Sequence, residues 1–137
     1  MYPKYTRSER VADGSMHLIG VTGSVFGAVA LLVWAVPVAT PWQVAAITVY
    51  AMTLIGTFAA SAFYHMTPWE SLRPVLRRID HAAIYLKIAG TYTPLVVMIG
   101  SGLAYVMLAI VWALAVIGMT LKLVFWSTPG RFGPALY

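Results

Sequence analysis

From Gly14 to Trp69 the chain carries no Asp, Glu, Lys or Arg, an uncharged stretch of 56 residues. As a single helix it would be about 84 Å long, against about 30 Å of bilayer hydrocarbon. The stretch therefore holds two spans. The break falls at Pro37-Val38-Ala39-Thr40-Pro41, because proline stops a helix and pushes the residue before it out of the helical region. A second uncharged run, Ile88 to Leu121, has 34 residues, about 51 Å if helical. The turn Gly100-Ser101-Gly102 divides it. Charged residues make up only 9% of the chain and apolar residues 61%, where a soluble domain carries about 25% charge. This excludes an ordinary soluble globule, a disordered chain and a coiled coil. There is no cysteine, hence no disulfide, thiolate metal site or cysteine nucleophile.

The pattern predicts a single all-α integral membrane domain over 1–137. It comprises an arm over 1–15, helices at about 16–36, 42–64, 80–99 and 103–126, and a tail over 127–137. Lys and Arg set the orientation. Lys4, Arg7 and Arg10 lie in the arm, and Arg73, Arg77 and Arg78 lie between the second and third helices. The other two connections hold none. The N-terminus, the second connection and the tail with Arg131 are therefore expected in the cytoplasm. Trp34, Trp42, Trp69 and Trp126 stand at span ends, where amphipathic rings favour the interface.

This topology places His17, His65, Asp80 and His81 at one depth, near the inner headgroups. Two readings are open. Polar groups in a bilayer are costly and usually face a bundle interior or water, and neutral imidazole is a common zinc ligand. Interfacial His and Asp also cap helices or touch headgroups, and a carboxylate suits a helix N-terminus. Ser61 is one turn before His65 and on the same face, where a hydroxyl fixes an imidazole. Glu9, Asp13 and His17 are spaced by four, with Gly20 near the same line, so a helical arm carries them as one stripe. Lys87 is expected to snorkel or to pair with Asp80 or Asp13. Pro94 interrupts the third helix, with Thr91 and Thr93 available to freed backbone groups. Gly23 and Gly27 form a GxxxG close-packing signal. No phosphate loop or nucleophile elbow occurs, and the small juxtamembrane basic clusters do not suit nucleic acid.

The order Glu9…Ala12-Asp13…His17…Gly20, Ser61-Ala62-Phe63-Tyr64-His65, Arg77-Arg78-Ile79-Asp80-His81-Ala82-Ala83-Ile84-Tyr85 and Ile88-Ala89-Gly90-Thr91-Tyr92-Thr93-Pro94 resembles the hemolysin III family. That family is part of the progestin and adipoQ receptor group, which includes the adiponectin receptors. The resemblance runs over nearly the whole chain and is most specific in the third block. It implies a seven-helix membrane bundle, of which this chain matches the first four helices, with a zinc ion near the inner leaflet. His65 matches a metal ligand, Asp80 the aspartate that holds the zinc-bound water, and Ser61 the serine before the histidine. Two further family ligands come from a His-x-x-x-His pair in the seventh helix, and no such pair occurs here. The chain accordingly reads as the N-terminal part of a longer protein. With His65 alone recognised as a ligand, it is expected to bind zinc weakly and to be inactive.

For function, the resemblance implies a bacterial inner-membrane protein acting on membrane lipids, through metal-activated water and an amide or ester linkage. Two alternatives stand beside it: a pore-forming hemolysin, and a receptor-like regulator of membrane composition with a structural zinc.

Overall fold

A computed structural model describes residues 6–124. Its elements are four helices: α1 (Arg7–Ala35), α2 (Pro41–Met66), α3 (Arg73–Ile99) and α4 (Gly102–Val124). All four are long and apolar enough to cross a membrane. Trp126, Arg131, the end of the fourth expected helix and the tail lie outside the described residues, as do Lys4 and the first part of the arm.

α1, α2 and α4 start where a hydroxyl side chain satisfies free N–H groups. Thr6 caps α1 in a reciprocal box: its hydroxyl accepts from Glu9 N at 3.3 Å, and Glu9 Oε2 accepts from Thr6 N at 2.7 Å. Thr40 and Gln43 repeat the device at α2, with Pro41 in the first turn, where its missing N–H costs nothing. α3 ends on Gly100 at φ 67°, the left-handed conformation that glycine adopts without strain. The Ser101 hydroxyl then accepts from Ala104 N at 3.2 Å and starts α4. α1 starts at its cap, at Arg7, and α3, which has no side-chain cap, at Arg73 with Pro74 in its first turn, both earlier than hydropathy alone placed them. A polar helical turn is invisible to an apolar count.

The helices pack in series, α1 on α2, α2 on α3 and α3 on α4. α3 has seven buried residues against two or three in each of the others, so it is the centre of the array. Close approach comes from small residues, as expected where lipid removes the hydrophobic drive between helices. A Cβ at Gly90 would meet Thr53 of α2, and one at Gly118 would meet the Tyr85 ring. Tyr85, Ala89 and Ala115 form the buried core, with Val111, Trp112 and Met119 against it. Hydroxyls supply cross-links: Thr57 Oγ1 lies 3.2 Å from the Ala83 carbonyl, and Trp112 Nε1 donates to Thr93 Oγ1 at 3.1 Å.

Three sequence expectations are corrected here. Gly23 and Gly27 are exposed and a Cβ at either meets nothing. The small-residue contact on α1 is at Gly20 instead, a turn earlier. α3 runs continuously through Pro94. Thr91 and Thr93 hydroxyls donate to the Lys87 and Ala89 carbonyls, both at 2.8 Å, and so bond within the turn that precedes Pro94 rather than to the Gly90 carbonyl that proline leaves. Lys87 makes no ion pair among the described residues. Its Nζ lies 5.7 Å from the Phe58 ring centroid and 6.0 Å from that of Tyr50, within the range in which a ring face attracts a cation.

Outward, the helices show large apolar side chains, such as Phe26 at 73% exposure and Leu103 at 74%. In water this surface would be a severe liability; in lipid it is the solvated face. The protein is an integral membrane protein.

Candidate metal centre

The capping box at Thr6 decides the site, because it makes the arm helical from Arg7 onward. Asp13 and His17, four apart, then share a face, and Asp13 Oδ1 lies 3.3 Å from His17 Nε2. One turn further on, Gly20 lets α2 close on α1. An ideal Cβ there would sit 2.6 and 2.8 Å from Phe58 Cδ1 and Cε1. This approach carries the last turn of α2 to the start of α1, and His65 Nδ1 comes to 3.2 Å from Asp13 Oδ1. The His17 and His65 rings lie 4.6 Å apart, tilted by 40°, and Tyr64 meets the His65 ring edge-on at 4.8 Å.

Asp13, His17 and His65 thus offer one carboxylate oxygen and two imidazole nitrogens, all within 4.8 Å of one another. Their spacing is informative. Tetrahedral zinc with N and O donors at about 2.0–2.2 Å sets neighbouring donors about 3.3–3.5 Å apart. A charge-assisted N–H···O contact is tighter, about 2.7–2.9 Å. The observed 3.2 and 3.3 Å serve a His–carboxylate contact and would also admit a shared ion, and the donor chemistry of two imidazoles and a carboxylate suits zinc. His17 is mostly shielded, at 14% side-chain exposure, while His65 and Asp13 keep 33% and 35%. The cluster is open on one side.

The residues singled out from the sequence are only partly brought together. His65 is in the cluster. Ser61, half-buried in α2, makes no hydrogen bond to it. Asp80 is outside the converging set; its carboxylate is 16% exposed, 3.7 Å from His81 Nδ1. His81 Nδ1 also donates to the Arg77 carbonyl at 2.8 Å, which holds that ring along its own helix. The donors that sequence reasoning did not assign are Asp13 and His17. Their signal was the i, i+4 spacing, which gains meaning only once the arm is helical and packed on α2. His65, expected from the sequence as a ligand, is joined in the structure by two further possible donors, Asp13 and His17.

Comparison with known proteins agrees with the motif reading. The family model described as "Haemolysin-III related" matches residues 5–136. The "Hemolysin-3 homolog" of Bacillus subtilis (strain 168) is 33% identical over 122 residues, which cover 88% of this chain and 57% of the relative. The "Hemolysin-3" of Bacillus cereus is 34% identical over 118 residues, covering 85% of this chain and 54% of the relative. The chain therefore spans a little over half the length of these curated relatives. No solved structure matches it.

Proposed function

The chain belongs to the haemolysin-III related family, and from that premise we propose that Asp13, His17 and His65 hold a zinc ion in a bacterial inner-membrane protein that acts on membrane lipids. The observation that carries this reading is the convergence of the three donors within 4.8 Å. Three protein donors leave one position of a tetrahedral zinc open, the pattern of catalytic sites and not of closed structural ones. When bound there, zinc supplies Lewis acidity, polarising a carbonyl oxygen and acidifying water.

The residues have separable tasks. Asp13 anchors both imidazoles, so it fixes their rings as well as donating an oxygen. Ser61, one turn before His65 on α2, makes no hydrogen bond to that imidazole and is given no part in holding it. Asp80, outside the three donors, would take and return a proton during cleavage of a lipid amide or ester; its carboxylate is largely withdrawn from solvent. Arg7 and Arg10 in the first turns of α1, with Arg73, Arg77 and Arg78 in the first turns of α3, favour a cytoplasmic N-terminus by the positive-inside rule. The cluster then lies at inner-headgroup depth, beside the acyl linkages it would act on.

Metal analysis of the purified chain in detergent tests the first half. One zinc per chain is expected, falling below a tenth in Asp13→Ala, His17→Ala and His65→Ala, while Asp80→Asn keeps the metal. A parent without zinc after equilibration refutes the reading. Release of fatty acid from vesicles tests the second half. Turnover lost in Asp80→Asn supports hydrolysis, and turnover unchanged in that variant removes Asp80 from the chemistry. Conductance steps in planar bilayers without lipid turnover would favour a pore.

A further inference from the structure

Beside the metal cluster, an open groove of about 380 Å³ runs between α1 and the end of α2. Val21 forms one wall, Ala62, Phe63 and Met66 the other, and Thr67 and Trp69 the mouth. Val21 is one turn beyond His17, and Ala62 and Met66 flank His65 along α2, yet no metal donor lines the groove. The groove falls within the range of small-molecule sites.

The lining itself is uncharged, but an arginine stands beside it. Arg73 Nη2 donates to the Thr67 carbonyl at 3.0 Å, which holds the guanidinium at the rim. Arg77 follows one turn later on the same face of α3. From Thr67 to Ile79 there are three arginines and one acid, Glu70. Trp69, 64% exposed, stands at the rim as interfacial tryptophans do. An apolar trough that ends at guanidinium groups matches one ligand chemistry, an acyl chain joined to an anionic phosphate. A guanidinium keeps its charge and forms strong charge-assisted hydrogen bonds with phosphate oxygens.

We infer that the groove holds one anionic phospholipid, with an acyl chain along Val21, Ala62 and Phe63 and its phosphate at Arg73. The site is distinct from the metal donors and does not depend on zinc. Its failure and that of the proposed metal function are therefore separately visible.

Native mass spectrometry of the full chain, with phosphatidylglycerol or phosphatidylcholine of identical acyl chains, tests it. An arginine at the membrane surface favours an anionic lipid by about 1 kcal/mol, so phosphatidylglycerol should be retained about fivefold better. Arg73→Gln should abolish the preference and Arg73→Lys should keep most of it. Ala62→Trp fills the groove and should lower retention of both lipids at least fivefold. Val21→Trp narrows it from the opposite wall and should do the same, which guards against misfolding of either variant. Chelation of metal should leave retention unchanged. Equal retention of the two lipids by the parent, or full retention in both tryptophan variants, overturns the inference. Loss of phosphatidylglycerol on chelation also overturns it, because the phosphate would then be on the metal.

Discussion

Replacing Gly20 with alanine should weaken metal binding without touching a donor. The added Cβ would sit 2.6 Å from Phe58 Cδ1, where carbon atoms settle at about 3.5–4.0 Å. About 1 Å has to be found. Part comes from rotation of the Phe58 ring and the rest from separation of α1 and α2. Even half of it, about 0.5 Å, exceeds the tolerance of about 0.2 Å within which metal–ligand distances hold. The 3.2 Å from His65 Nδ1 to Asp13 Oδ1 spans those two helices and opens directly. The Asp13–His17 distance lies within α1 and does not. Zinc affinity, measured by competition with a chromophoric chelator in detergent, should fall about 10–100-fold, the range seen when groups supporting metal ligands are disturbed. Helical content should be unchanged. Phe58→Ala in the same background removes the obstructing ring and should restore affinity to within about threefold, a double-mutant test of the coupling. Parent-like affinity in Gly20→Ala, or no recovery in the double variant, would refute the claim that this helix contact sets the site.

Three further outcomes follow from the same structure. Zinc at 100 times its dissociation constant should stabilise the chain by about 2.7 kcal/mol, raising its melting temperature in the parent and not in Asp13→Ala. Gly118→Val forces a Cβ to within 2.6 Å of Tyr85 Cδ1 and should cost about 1–3 kcal/mol as overpacking; Gly23→Ala and Gly27→Ala, whose Cβ atoms meet nothing, should melt like the parent. Glu9 is held below its ordinary pKa of 4.5, first by the Thr6 backbone N–H and then by the Thr6 hydroxyl. Its contribution to the start of α1 is therefore present above that value and lost as pH falls through the lower folded pKa. A carboxyl-carbon NMR titration should show Thr6→Ala moving Glu9 only part of the way back, since the backbone donor survives.

Four spans were legible because charge is scarce and its gaps are long, and lipid leaves hydropathy little competition. Boundaries were less so. Arg7–Asp13 and Arg73–Ile79 are helical by virtue of caps and backbone bonding, which an apolar count does not sense, although Thr6…Glu9 and Thr40…Gln43 carry the capping signature openly. His65 stood out as an imidazole closing an apolar helix. Its partners did not, because Asp13 and His17 are distant in sequence and become neighbours only through the Gly20–Phe58 contact. Lys87 misled for a related reason: sequence shows its charge and nearby acids, but the groups facing it are the rings of Tyr50 and Phe58 on another helix. The GxxxG pair was a true small-residue pattern on the side of α1 that meets no described helix.

The serial packing of the helices has a consequence for biosynthesis. Every donor of the metal cluster precedes Thr67, and α1 needs only α2 to bring the donors together. These three donors can therefore meet as soon as the first hairpin has left the insertion machinery, while the ribosome is still adding α3. Metal capture at that stage would lock the hairpin before its neighbours arrive, making the ion a participant in assembly of the nascent protein.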